Sequence, residues 1–238
     1  MKRFVVMLSF AIISSNGYAQ LTYMKKELAK DTIQSSIGPN RKKFSHFFIG
    51  FAIPFGQPDS AGATVKNLSS GATILGFQYK RRFTNFLGAG FQLAYRSEYF
   101  RLKQDSNKIL PNSIQHKKEK LTFGQVQAGL YIRINYGKRG DRVGNYIDLG
   151  GYSSYIVSST HYTRDVFPIA NASGATISEV HNHRLVFIEP LQYGLEARVG
   201  FNRYAFWATY RLSNIFNSKY IFPEMPRICA GIQIALYK

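Results

Sequence analysis

Residues 72–101 read ATILGFQYKRRFTNFLGAGFQLAYRSEYFR. Leu75, Phe77 and Tyr79 alternate with Gly76, Gln78 and Lys80, then Leu87, Ala89, Phe91, Leu93 and Tyr95 alternate with Gly88, Gly90, Gln92, Ala94 and Arg96. A period of two places each set on its own face of a sheet, so the stretch predicts two strands joined by a very short turn near Phe83 and Phe86. One face is greasy throughout, and the other carries Gly, Gln, Lys and Arg. A soluble sheet turns such a greasy face to a core, as a secreted lipocalin-like barrel does. A transmembrane barrel turns it to lipid and keeps the polar face for its lumen. The remainder of the chain favours the second arrangement.

The first residues have the layout of a secretory leader. Lys2 and Arg3 form a basic end, Phe4 to Ile13 an apolar core, and small residues Gly17 and Ala19 precede a cleavage point that starts the mature chain at Gln20. That apolar run is too short to span a bilayer, and no later run approaches the roughly 18 residues of a membrane helix. A membrane protein of this sequence must therefore cross as strands. The whole chain carries a formal net charge of +18, and removing the leader leaves it strongly basic. Only 18% of residues are charged, which excludes a disordered basic tail. A single cysteine, Cys229, rules out an internal disulfide framework and reads as a small packing residue.

The expected organisation is a signal peptide over 1–19, an exposed basic segment over 20–43, and a barrel over 44–238. Strands are predicted at 44–55, in the two halves of 72–101, and at 121–136, 145–162, 183–201, 204–216 and 227–237. In the third group Val126, Ala128, Leu130, Ile132 and Ile134 point outward, while the apolar Leu121 and Phe123 break the parity and suggest a bulge. Leu185 and Phe187 are expected outward in the sixth strand. The connections alternate long and short, and aromatics flank each short turn: Phe83 and Phe86, Tyr136 and Tyr146, Phe201 and Tyr204. Such rings favour the headgroup layer of a bilayer. The predicted fold is all-β, an eight-stranded antiparallel up-and-down transmembrane β-barrel with short periplasmic turns and long extracellular loops.

From Phe44 to Lys238 the chain resembles the small eight-stranded outer-membrane barrels of the PorT-like and OmpX-like kind. The resemblance rests on the leader, the alternation, the asymmetry of the loops and a final amphipathic strand, GIQIALYK, whose aromatic Tyr237 is followed by Lys238. It implies an envelope protein of the outer membrane in a double-membraned bacterium and carries over no catalytic residue.

There is no phosphate loop, zinc-finger spacing or dinucleotide fingerprint, and no cofactor is expected. His161, His181 and His183 flank one long loop; grouped, they would suit a divalent metal, and as solvated loop-base residues they need no role. His161 with Ser159 and Glu189 imitates the lipid-facing groups of membrane-embedded barrel enzymes, which keeps a lipid- or lipopolysaccharide-modifying enzyme as the alternative to a non-enzymatic structural or interaction barrel. Lys103, Lys108, Lys117, Lys118 and Lys120 are expected at the long-loop end, and Arg41, Lys42, Lys43, Lys138, Arg139 and Arg142 at the other. Partners of that chemistry are outer-membrane lipid and lipopolysaccharide, or another envelope protein such as a secretion assembly, and no nucleic acid; plain solubilising charge accounts for the same residues. Finally, Arg133, Asp148, Glu196, Lys80, Arg82 and Arg198 all fall on the inward parity. They predict an ionic cluster filling the lumen, with Arg133 gripping a carboxylate and Glu196 beside Asp148.

Overall fold

The computed structural model describes residues 36–56, 62–137, 140, 142–169 and 174–237. The leader, most of the basic segment that follows it, and Lys138 and Arg139 lie outside the described residues. Among the described residues nine strands form: β1 (Lys43–Phe55), β2 (Gly71–Arg82), β3 (Leu87–Arg101), β4 (Lys118–Tyr136), β5 (Asn145–Val166), β6 (Ile177–His183), β7 (Leu191–Phe201), β8 (Tyr204–Arg211) and β9 (Ile228–Leu236). Every pairing between them is antiparallel, and β1 joins both β2 and β9, so the sheet closes on itself as β1-β2-β3-β4-β5-β7-β8-β9. The ring has eight members. β6 stands outside it and pairs only the far end of β5, Thr160 to Val166. Closure satisfies the backbone groups that lipid cannot.

The direction of the alternation is what makes this a transmembrane barrel. Phe47, Leu130 and Phe206 are 61%, 72% and 62% exposed on the outer wall. Gln127, Arg133 and Asp148, on the same or neighbouring strands, are 0–1% exposed inside. Water would reject that outer surface, and a hydrocarbon layer accepts it. Among the described residues no helix is long and apolar enough to cross a membrane. The hairpin of residues 72–101 forms with Leu75 opposite Tyr95, Phe77 opposite Leu93 and Tyr79 opposite Phe91.

Three details differ from the sequence expectation. Leu121 and Phe123 do not break the parity of β4; they keep it and face the interior, 0% and 1% exposed. The irregularity lies across the ladder, where Gly124 pairs Ser158 but Gln125 pairs Ile156, leaving Val157 as the extra residue of β5. The expected strand 183–201 is interrupted. Arg184 has a left-handed φ of 57°, Pro190 has no N–H to donate, and residues 184–190 turn inward so that Leu185, Phe187 and Ile188 join an apolar cluster instead of facing lipid. Likewise β8 stops at Arg211, because Ile215 and Phe216 fold over the barrel end into the same cluster. Burying these side chains outweighs a few ladder bonds above the membrane.

Candidate functional site

The interior is filled in three tiers. In the first, toward the short turns, Arg133 on β4 donates from Nε to Asp148 Oδ1 at 2.6 Å and from Nη2 to Oδ2 at 2.7 Å. This is the two-pronged grip the planar guanidinium suits best. Arg198 on β7 lies 3.5 Å from Asp148 Oδ2, an ionic contact without hydrogen-bond geometry, and 3.0 Å from Glu196 Oε1. Gln92 and Gln127 donate to the other oxygen of Glu196 at 2.6 and 3.2 Å. The Tyr146 ring lies 3.7 Å from the Arg133 guanidinium, and Tyr131 stands 5.4 Å from Arg133 and 4.8 Å from Arg198. Two carboxylates in a narrow lumen repel each other; two guanidiniums placed among them make both tolerable.

Four of the six predicted members thus form one network. Lys80 and Arg82 stand elsewhere, at the short-turn mouth. Lys80 donates to the Pro39 carbonyl at 2.9 Å with its amine 5.6 Å from the Phe44 ring, and Arg82 donates to the Asn40 carbonyl at 2.8 Å and to its side chain at 3.0 Å. Asn40 in turn donates to the Gly140 carbonyl. Residues 38–41 are therefore half-buried against the mouth, where an exposed segment was expected. One register detail also changes: Asp148 faces Arg198, and Glu196 faces Gly150. The predicted pairing assumed a symmetric hairpin, whereas β5 continues past β7 to carry β6.

The second tier joins Arg96 and Glu98, two residues apart on β3, at 3.0 Å. Glu98 also accepts from Gln125 at 3.2 Å and from the Cys229 thiol at 3.0 Å. Arg96 donates to Thr209 and lies 5.7 Å from the Trp207 ring. Cys229 is thus both packed and hydrogen-bonded. The space left beside this pair is about 10 Å³, about one water.

The third tier closes the long-loop end. Phe100, Leu110, Leu121, Phe123, Ile215 and Met225 pack as an apolar cap drawn from two loops and the strands beneath. Glu119 is set within it, 1% exposed, and accepts from Lys108 at 2.7 Å, Gln104 at 2.7 Å and His161 at 2.8 Å. Burial pushes this carboxyl up, but the three hydrogen bonds outweigh it and hold the group below the usual carboxylate range. Farther out, Asp165 accepts from His116 at 2.7 Å and from the Lys117 amide at 3.1 Å, and it too is held low by these bonds against the effect of its partial burial. Residues 104–117 are clasped to β4 and β5 by these two acids. Glu224 does the same for the last loop, taking Arg211 at 3.3 Å and the amides of Ile215 and Phe216.

Sequence reasoning passed over Glu98, Glu119 and Glu224. Glu98 shares the inward parity of Arg96, and Glu119 that of Gln125, so a signal existed for two of them. Lys108, expected at the long-loop end, lies there and is 5% exposed as the partner of Glu119. The histidines are not grouped. His161 faces the interior opposite Asn182, whereas His181 and His183 are exposed on the outer side, 6.3 Å apart, with His183 bonded to Thr160. The parity of β5 decides this, because 161 and 183 do not pair. Among the described residues no cluster of His, Cys, Asp or Glu is fit to hold a metal ion. Ser159 accepts from the Leu185 amide and Glu189 from Asn217, and neither bonds His161.

No protein-family model and no curated protein sequence matches the chain. Among solved structures it is similar to the crystal structure of Ail, the attachment invasion locus protein of Yersinia pestis, in complex with the heparin analogue sucrose octasulfate. The identity is 11% and the TM-score 0.31, over 81% of this chain and 94% of that one.

Proposed function

We propose that this chain is a non-enzymatic outer-membrane barrel of a double-membraned bacterium, acting as a structural or interaction component of the envelope. The observation that carries the reading is the pairing of an apolar outer wall with a lumen packed shut by ion pairs and an apolar cap. The wall fits lipid, and the filled lumen leaves no aqueous path for solutes. The two ends of an even-stranded barrel share a side, which in this reading is periplasmic, with the long loops outside. His161 points into the protein, away from lipid, which supports a non-enzymatic role. The loops hold out Val186, Ile169 and Ile221, 79%, 81% and 98% exposed, as a surface for a protein partner. An accessory role in a secretion or envelope assembly is the finer form of the proposal.

The test is membrane fractionation followed by crosslinking on intact cells. The expected result is recovery with the outer membrane, faster gel migration before heating than after, and a stable crosslinked partner through the loops. Recovery as a detergent-free periplasmic monomer overturns the membrane reading, and hydrolysis or transfer of lipid acyl chains by the purified barrel overturns the non-enzymatic one.

A further inference from the structure

The outer wall of β3, β4 and β5 bears a feature that folding alone does not explain. Above the apolar belt, Arg101 stands directly opposite Lys120, and Lys118 directly opposite Arg164, all on the outward parity. Like charges directly across a ladder are destabilising. Here two such pairs are stacked. With strands roughly 5 Å apart and outward positions roughly 7 Å apart along them, the four cations share a patch about 10 Å across. Among the described residues the one carboxylate paired with them is Glu179, 3.4 Å from Arg164. Glu119, next in sequence, points inward and is already held by three donors. The other like-charge pair in the strand ladders, Lys43 opposite Arg81, stands alone at the short-turn end.

The patch is shaped as well as charged. Tyr99, Lys120 and Tyr162 form its floor, with the Lys120 amine 5.9 Å from one ring and 5.8 Å from the other, so the cation is positioned by two aromatic faces. Together with Ser69, Arg101, Lys118, Arg164 and Glu119, whose carboxylate is turned inward to its three donors, they line an open cleft of about 460 Å³. Its height selects among anions. Arg101 lies six residues beyond Tyr95, an apolar belt residue of β3. That is roughly 15 Å above Tyr95 for strands tilted by about 40°. The phosphate of a glycerol lipid sits within several Å of the hydrocarbon edge, since the headgroup regions add only about 5–8 Å per side. A headgroup reaching this cleft must be thicker, built of sugars.

We propose that this cleft binds a phosphorylated sugar headgroup of an outer-leaflet glycolipid, its phosphate bridging the two like-charge pairs. Arg101 and Arg164 supply forked donors, Lys118 and Lys120 supply point charges, and the two tyrosine rings pack against the sugar. The anion turns a repulsive arrangement into an attractive one, so the site is stable loaded and strained empty. This rests on the membrane reading above but is separable from it.

The experiment titrates the detergent-refolded full mature chain with rough lipopolysaccharide carrying core phosphates, with the same material after phosphatase treatment, and with inorganic phosphate. The variants are Lys118→Gln/Lys120→Gln and, as an equal loss of charge from loops at the same end, Lys66→Gln/Lys103→Gln. The Lys118/Lys120 variant is expected to bind phosphorylated lipopolysaccharide roughly 30-fold more weakly, the value for two basic residues that meet an anionic headgroup. The loop variant is expected to match the unchanged chain. Lys120→Gln is also expected to raise the unfolding midpoint in lipid-free detergent, because it relieves repulsion, while abolishing the upward shift that lipopolysaccharide gives the unchanged chain. Equal losses from both double variants, indifference to the phosphatase, inorganic phosphate binding as tightly as the glycolipid, or a lowered lipid-free midpoint for Lys120→Gln each overturn the site. A chain that never acquires the heat-modifiable folded form in detergent overturns the membrane reading instead.

Discussion

Arg133 and Asp148 face each other across the β4–β5 ladder with both prongs of the guanidinium engaged, at 2.6 and 2.7 Å, and with 0% and 1% of their surfaces exposed. Tyr146 closes over the arginine, Arg198 approaches the carboxylate from the next strand, and Glu196 balances Arg198. The pair is therefore the centre of a charge-compensated layer inside the barrel near its short turns.

Removing one partner of such a pair strands the other in a low-dielectric site, which typically costs about 3–5 kcal/mol. Arg133→Ala is expected to lower the chemical unfolding midpoint in detergent far more than Lys103→Ala, which removes an exposed loop charge. Asp148→Asn is expected to fall near Arg133→Ala, and the double change to cost less than the two single costs added together. Equal and negligible effects from Arg133→Ala and Lys103→Ala would reject the buried pair.

The ring of Tyr146 reaches Arg133 only because position 200 has no side chain. A Cβ added at Gly200 would lie 2.0 Å from the Tyr146 ring, whereas one added at Gly151 on the outer wall meets nothing nearer than 3.5 Å. Gly200→Ala is expected to destabilise by about 1–3 kcal/mol through overpacking, and Gly151→Ala to leave the midpoint unchanged or slightly raised. Parallel urea titrations of refolded protein check the difference.

The loop of residues 104–117 is fastened by carboxylates whose affinity for protons is depressed in the fold, Glu119 and Asp165. A depressed folded-state value means that the stabilisation is complete above the ordinary carboxylate range and is lost as pH falls through the lower folded values. Protease cleavage within 104–117 is expected to be slow at pH 7 and to accelerate only below about pH 4. Glu119→Gln is expected to bring fast cleavage at pH 7 and to flatten the acid dependence. A cleavage rate that rises toward alkaline pH would contradict the clasp.

Orientation is testable because the native thiol of Cys229 is buried and gives no background. With a membrane-impermeant maleimide on intact cells, Ile221→Cys in the last long loop is expected to label, and Thr84→Cys in the β2–β3 turn to label only after lysis. The reverse pattern would invert the barrel.

Much of this architecture is written in the chain's local pattern. Strict alternation across 72–101, short turns bracketed by aromatics and an even strand count are sufficient for a barrel with its greasy face outward, because side-chain direction in a strand depends only on parity. The inward placement of Arg133, Asp148, Glu196 and Arg198 follows from the same rule, and the closeness of β4 and β5 in sequence sets the register that joins the first two. What parity does not carry is distance between elements that are remote in sequence. The fold alone decided that Asp148 meets Arg198 and not Glu196, since that register depends on β5 running past β7 to hold β6. It alone drew Lys80 and Arg82 to the chain at 39–40, turned Leu185 and Phe187 inward, and set Glu119 against Lys108 and His161. The contacts of Leu185, Phe187 and Glu119 form because the long loops bury apolar side chains above the membrane, and their polar neighbours then take the partners that burial brings within reach.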